Sequence, residues 1–156
     1  MKFSGILLIV NTLLLIVIWV FTGIKYAGLP EIIPTHFDVH GDGDGDGESG
    51  KTAIWVLPCI ATFIHLLFIG IKNPNSPLVN VPQSFRNERT LKLYLFSLEL
   101  PVMILFLDII VESIRVAEGK QTELSDAVFY ILGLLFAVIA IGLIKSLRDS
   151  RTKSND

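Results

Sequence analysis

The chain has 156 residues, 51% of them hydrophobic and only 18% charged, with a mean hydropathy of +0.61 and a formal net charge of −2. Soluble domains carry roughly 25% charged residues, so the composition argues against an ordinary soluble fold. No Ser/His/Asp set, deaminase signature or aromatic nucleic-acid platform occurs, so neither an enzyme nor a nucleic-acid partner is expected, and the single Cys59 excludes an intramolecular disulfide.

A helix needs about 20 apolar residues to cross a hydrocarbon core about 30 Å thick. Four such runs occur, at about 4–24, 53–71, 91–111 and 124–144. They use about half of the sequence and leave no room for a separate soluble core. The expected fold is all-α and integral to the membrane: one domain, 1–156, built as a four-transmembrane-helix bundle.

The first run is longer than a typical secretory h-region of about 7–15 residues, and no A-x-A site follows. It reads as a retained helix. Asn11 and Thr12 interrupt it, Trp19 lies toward its far end, and Tyr26 just beyond suits an interfacial aromatic belt. Residues 25–52 form the only long polar segment in the first half. Pro30 and Pro34 fix φ and bias Leu29 and Ile33 away from helix. LPEIIP is therefore an extended, stiff segment, and too apolar to hang free in water. A glycine-rich turn region from His36 to Gly50 follows.

Three motifs fall in this loop. Gly45 to Thr52 satisfies the letters of a phosphate-binding loop, but lacks the preceding strand and soluble helix the mechanism needs. Asp42, Asp44 and Asp46 before Gly47 resemble the start of a calcium loop, but the position of the bidentate glutamate is Ala53. His36, Asp38 and His40 alternate, so an extended backbone would point all three the same way, as zinc or copper ligation requires. Calcium or zinc at His36, His40, Asp42, Asp44 and Asp46 is thus an expectation to set against a solvated acidic turn.

The second run re-enters the membrane at Trp55, with Pro58 near its first turn and His65 near its middle. The 72–90 connection carries Pro74, Pro77 and Pro82 and has turn chemistry. Arg86, Arg89 and Lys92 recur at helical spacing, so the third helix is expected to begin before the membrane, with a basic face able to lie along anionic headgroups. Glu99, Pro101 and Asp108 lie inside the third run, and Glu112 and Arg115 follow. The fourth run ends in a basic tail, 145–156, expected to be frayed at its tip.

Basic residues set the orientation. With the N-terminus inside, nine lie inside (Lys2, Lys72, Arg86, Arg89, Lys92, Lys145, Arg148, Arg151, Lys153) and four outside (Lys25, Lys51, Arg115, Lys120). The positive-inside rule then places both termini in the cytoplasm and the 25–52 loop outside a multi-pass cell-membrane protein.

Ionisable groups inside a bilayer are costly and usually serve a purpose. At 1.5 Å per residue, Asn11, His65 and Glu99 fall at similar depth. They are expected to form an interior polar cluster, either glue between helices or a proton or solute site. Asp108 faces another direction. With Glu112 and His36 it is expected to line a shallow outer cup.

Leu29-Pro30, Ile33-Pro34-Thr35-His36-Phe37, Gly41, Asp44, Lys51 and Leu57-Pro58 resemble a bacterial membrane family known as domain of unknown function 1648. Its pattern is approximately LPxxIPxHFNxxGxxDxxxSK with a proline in the next helix. Asp38 replaces the usual Asn, the aspartate–glycine run is about two residues longer, and Lys51 is displaced. The resemblance implies a motif loop carried by Pro30, Pro34, His36, Phe37, Gly41, Asp44 and Lys51. The family includes larger toxin-immunity membrane proteins that hold a repressor at the membrane. It thereby implies a non-enzymatic binding, immunity or envelope-signalling role, with a peptide toxin or envelope partner outside and a cytoplasmic regulator at the basic face. The alternative is a small transporter or transporter subunit using Glu99 and His65.

Overall fold

The computed structural model describes residues 2–36, 47–74, 81 and 85–154. Its helices are α1 (Phe3–Tyr26), α2 (Val56–Gly70), α3 (Glu88–Ala117) and α4 (Ala127–Ser154), with strands β1 (Ile32–Pro34) and β2 (Glu48–Gly50) between α1 and α2. A 3-10 turn, Lys51–Trp55, leads from β2 into α2. Among the described residues, four helical segments are long and apolar enough to cross a membrane.

The extended reading of LPEIIP holds, and pairing completes it. β1 and β2 are antiparallel, with Ile32 opposite Gly50, Ile33 opposite Ser49 and Pro34 opposite Glu48. The prolines cannot extend a helix from α1, and β2 supplies partners for the backbone. Ile33 and Leu29 are buried, whereas Ile32 is 60% exposed. This follows from strand alternation, which points neighbours to opposite faces. Ile33 and Leu29 join Ile18, Ile54, Ala61, Met103, Ile110 and Ile114 in one core cluster. The hairpin is thereby docked on the end of the bundle formed by the C-terminus of α1 and the last turns of α3. Fully burying each such side chain is worth about 1.5–3 kcal/mol relative to exposure to water.

α3 is longer at both ends than its apolar run of 91–111. Asn87 caps it, its Oδ1 accepting from Arg89 N at 2.9 Å and Thr90 N at 3.4 Å. It therefore starts before the apolar stretch, as the basic spacing suggests. It ends where Gly119 takes φ +67°. Gly119 N–H then bonds Val116 O and Lys120 N–H bonds Arg115 O, both at 2.9 Å. This 6→1 and 5→2 pair stops the helix and satisfies its last carbonyls. Pro101, buried within α3, has no N–H to offer the preceding turn.

α4 continues through the basic residues to Ser154, as its Leu, Lys and Arg content favours once a helix is nucleated; the last two residues of the tip expected to fray, 155–156, lie outside the described residues. The four helices do not share one core. α1, α2 and α3 pack against one another, and α4 packs against α3. Only 6% of the apolar window of α4 is buried, against 33% for α3. A sequence that is apolar all round has no face with which to specify a partner, because lipid and protein are equally good neighbours.

Candidate functional site

Chemically capable residues come together in a polar cluster inside the bundle and in the groove under the hairpin.

Asn11, His65 and Glu99 converge from α1, α2 and α3. Asn11 is fully buried, as is Glu99, and His65 is nearly so. Asn11 Nδ2 donates to Glu99 Oε2 at 3.0 Å and to the carbonyl of Phe96 at 3.1 Å. Glu99 Oε1 meets His65 Nδ1. His65 Nε2 lies 3.2 Å from Thr12 Oγ1, and the Thr12 hydroxyl donates to Leu8 O at 2.8 Å. A hydroxyl has one proton to give, so Thr12 must accept from His65 Nε2–H. One proton then lies between Nδ1 and Oε1. The pair is either imidazolium with carboxylate or imidazole with carboxylic acid, and it is net neutral both ways. Sequence depth places three of these four residues at one level; Thr12 completes the set. The Oδ1 of Asn11 has no hydrogen-bond partner among the described residues.

A second polar tie joins α1 to α2. Trp19 Nε1 donates to Thr62 Oγ1, and Thr62 Oγ1 to Pro58 O, each at 2.8 Å. The Trp19 indole thus serves a helix contact, and its ring lies near that of Trp55 with centroids 5.6 Å apart. Tyr26 lies 5.4 Å from Trp55 on the other side.

At the hairpin end, Lys51 reaches Glu31 at 2.8 Å and lies 5.5 Å over the Tyr26 ring. Thr35 holds the hairpin mouth: its N–H and its hydroxyl both donate to Gly47 O, at 2.8 and 2.6 Å. A Cβ at Gly47 would fall 2.4 Å from the Cβ of His36, so glycine is required for the close approach. Between β1, the 3-10 turn and α3 lies an open groove of about 250 Å³, with Ile33, Ile54 and Ile109 as walls and Thr35, Ser49 and Ser113 as hydroxyls.

The expected cup of Asp108, Glu112 and His36 is not built. The Glu112 carboxylate turns to the α3–α4 connection, accepting from Ser125 N at 2.6 Å and Ser125 Oγ at 2.5 Å. Asp108 is half-buried and has no hydrogen-bond partner among the described residues. His36 is exposed against Gly47. A carboxylate one turn from a helix end finds backbone and hydroxyl donors in its own connection more cheaply than it orders a distant loop. Glu118 joins Lys25 of α1 at 3.2 Å and Lys120 at 2.5 Å. These bonds, from Lys120 first and then Lys25, hold its carboxyl below the usual range.

Phe37, Asp38, His40, Gly41, Asp42, Asp44 and Asp46 lie outside the described residues, and so do the calcium and zinc expectations that rest on them. Among the described residues no group of three His, Cys, Asp or Glu could hold a metal.

The family model described as Domain of unknown function (DUF1648) matches residues 13–62. That segment is similar to the DUF1648 family. The DUF1648 segment covers most of α1, the whole hairpin and the first half of α2, so Pro30, Pro34, His36 and Lys51 fall within it. An uncharacterized protein of Archaeoglobus fulgidus is 28% identical over 86 residues. The alignment takes in 52% of this chain and 47% of the relative, so the chain spans about half the length of the curated relative it matches. No solved structure matches the chain. The matched segment holds the groove's β-strand wall, whereas Asn11, Thr12, His65 and Glu99 of the polar cluster lie outside it.

Proposed function

We propose that this multi-pass membrane protein is a non-enzymatic receptor of the cell envelope. Its hairpin faces outward and takes a short, extended apolar segment of a peptide toxin or envelope protein into the groove against α3. The observation that carries this is the docked hairpin: burial of Leu29 and Ile33 fixes it on α3, so a ligand in the groove touches the motif strand and a transmembrane helix at once. Apolar walls with a few hydroxyls suit such an occupant, because the walls supply affinity and the polar groups orient the chain. An immunity or envelope-signalling role follows from the same contact, since occupancy of the groove would be felt along α3. The excess of cations at the Lys2 end supports the outward orientation of the hairpin and a cell-membrane location.

Photo-crosslinking in intact cells tests this reading. A benzophenone side chain at Ala53 or Ile109 should give a discrete peptide adduct that the groove-filling Ser113→Phe abolishes. Adducts no different from those at Gly133 of α4, or unchanged by Ser113→Phe, would refute it. Labelling of Ser49→Cys but not Lys145→Cys by an impermeant maleimide, with Cys59 replaced, checks the orientation.

A second reading, a small transporter or transporter subunit, is favoured by one observation: the buried His65–Glu99 pair shares a single proton in the middle of a spanning bundle. It predicts pH-dependent flux in liposomes that Glu99→Gln removes.

A further inference from the structure

At the end of the bundle away from the hairpin, three helices bring cations to one cavity. The start of α1 supplies Lys2, the residues after α2 supply Lys72, and the first turns of α3 supply Arg89 and Lys92. The cavity measures about 470 Å³, and Leu8 and Phe96 line it as apolar surface. One acidic residue, Glu88, also lines it, and its carboxylate is taken by Lys92. Lys2, Lys72 and Arg89 form no ion pair within 4.0 Å among the described residues, although the Glu88 carboxylate lies near enough to Lys2 and Lys72 to feel their charge. Topology alone asks only for basic residues near the ends of spans. It does not ask that three helices aim them into one hollow, where their mutual repulsion is a cost.

The shape restricts the ligand. The start of α3 is already capped by Asn87, so an anion here would be held by side chains. Arg89 offers planar, forked donors that match phosphate oxygens, and the lysines offer point charges. Leu8 and Phe96 lie one to two turns into α1 and α3, deeper in the spanning segments than the cations. A ligand that fills the hollow is therefore charged at its mouth and apolar beneath.

We propose that this cavity binds the phosphate group of an anionic phospholipid, with Lys2, Lys72 and Arg89 around the phosphate and an acyl chain running over Leu8 and Phe96. The bound lipid would tie the ends of α1, α2 and α3 together at the boundary of the bilayer.

Delipidated full-length protein in a non-ionic detergent, titrated with dioctanoyl phosphatidylglycerol, dioctanoyl phosphatidylcholine or inorganic phosphate, provides the test. Phosphatidylglycerol should bind more tightly than phosphatidylcholine and weaken as salt rises. The double variant Lys72→Gln/Arg89→Gln should weaken it by about tenfold or more, since each cation near an anionic surface is worth about 1 kcal/mol. Arg89 is exposed and Lys72 half-buried, and an unchanged circular dichroism melt would confirm that the variant folds. Lys25→Gln, at the opposite end, should bind as the parent does. Equal binding of the two lipids, or no loss in the double variant, overturns the site. Inorganic phosphate binding as tightly as phosphatidylglycerol overturns the lipid assignment in favour of a soluble phosphate.

Discussion

Replacing Glu99 separates hydrogen bonding from charge in the buried cluster. In Glu99→Gln the amide can take over both contacts: Oε1 accepts from Asn11 Nδ2, and Nε2–H donates to His65 Nδ1. His65 keeps Nε2–H for Thr12, and one surplus N–H is left, at a cost of about 1 kcal/mol. Glu99→Leu leaves His65 Nδ1 and one Asn11 N–H without a partner. Each orphaned buried group costs about 1–3 kcal/mol in water-soluble proteins, and less where the membrane-embedded unfolded chain also finds partners. The expected loss is about 2–4 kcal/mol for Leu and about 1 for Gln. Titration with sodium dodecyl sulfate in mixed micelles, followed by circular dichroism, reads both. A Leu variant as stable as the parent would show that the cluster holds nothing together. A Gln variant as damaged as Leu would show that the ion pair, rather than the count of hydrogen bonds, is what matters.

Gly47→Ala should push His36 away and break the Thr35–Gly47 bonds, at a cost of about 1–3 kcal/mol confined to the hairpin; loss of hydrogen-exchange protection at the Thr35 amide checks it, and an unchanged amide contradicts it. A Cβ at Gly142 would fall 2.4 Å from the Tyr94 ring, so Gly142→Val should loosen α4 from α3 by a similar amount. Gly133→Ala, with nothing within 4 Å, should be neutral or slightly stabilising in the same melts. The Glu118 carboxyl is depressed by Lys120 and Lys25, so its contribution is present above its unfolded value near 4.5. It is lost as pH falls through the lower folded value. The melting difference between parent and Glu118→Gln should therefore shrink towards zero on acidification below about pH 4.

The spans are legible because apolar length is the dominant signal in such a chain. The interior cluster is legible too, because rise per residue fixes depth once the spans are placed: Asn11, His65 and Glu99 share a level and meet. Helix ends are less so. Apolarity stops near residue 111, but α3 runs to Ala117 because Gly119 can take positive φ. The pairing of Glu112 with Ser125 depends on the path of a connection that no local pattern encodes. The place of α4 is hidden for a different reason, since a helix greasy on every side carries no directional information.

The aromatic stack beneath the hairpin gives the molecule a built-in optical reporter. Both tryptophans of the chain stand there, Trp19 on α1 and Trp55 at the turn into α2, with Tyr26 close by. Tryptophan emission consequently originates at a single locus, the seam where the motif segment meets the bundle. Any ligand or lipid change that moves that seam should be visible spectroscopically without a label, whereas events at the far end should leave the spectrum untouched.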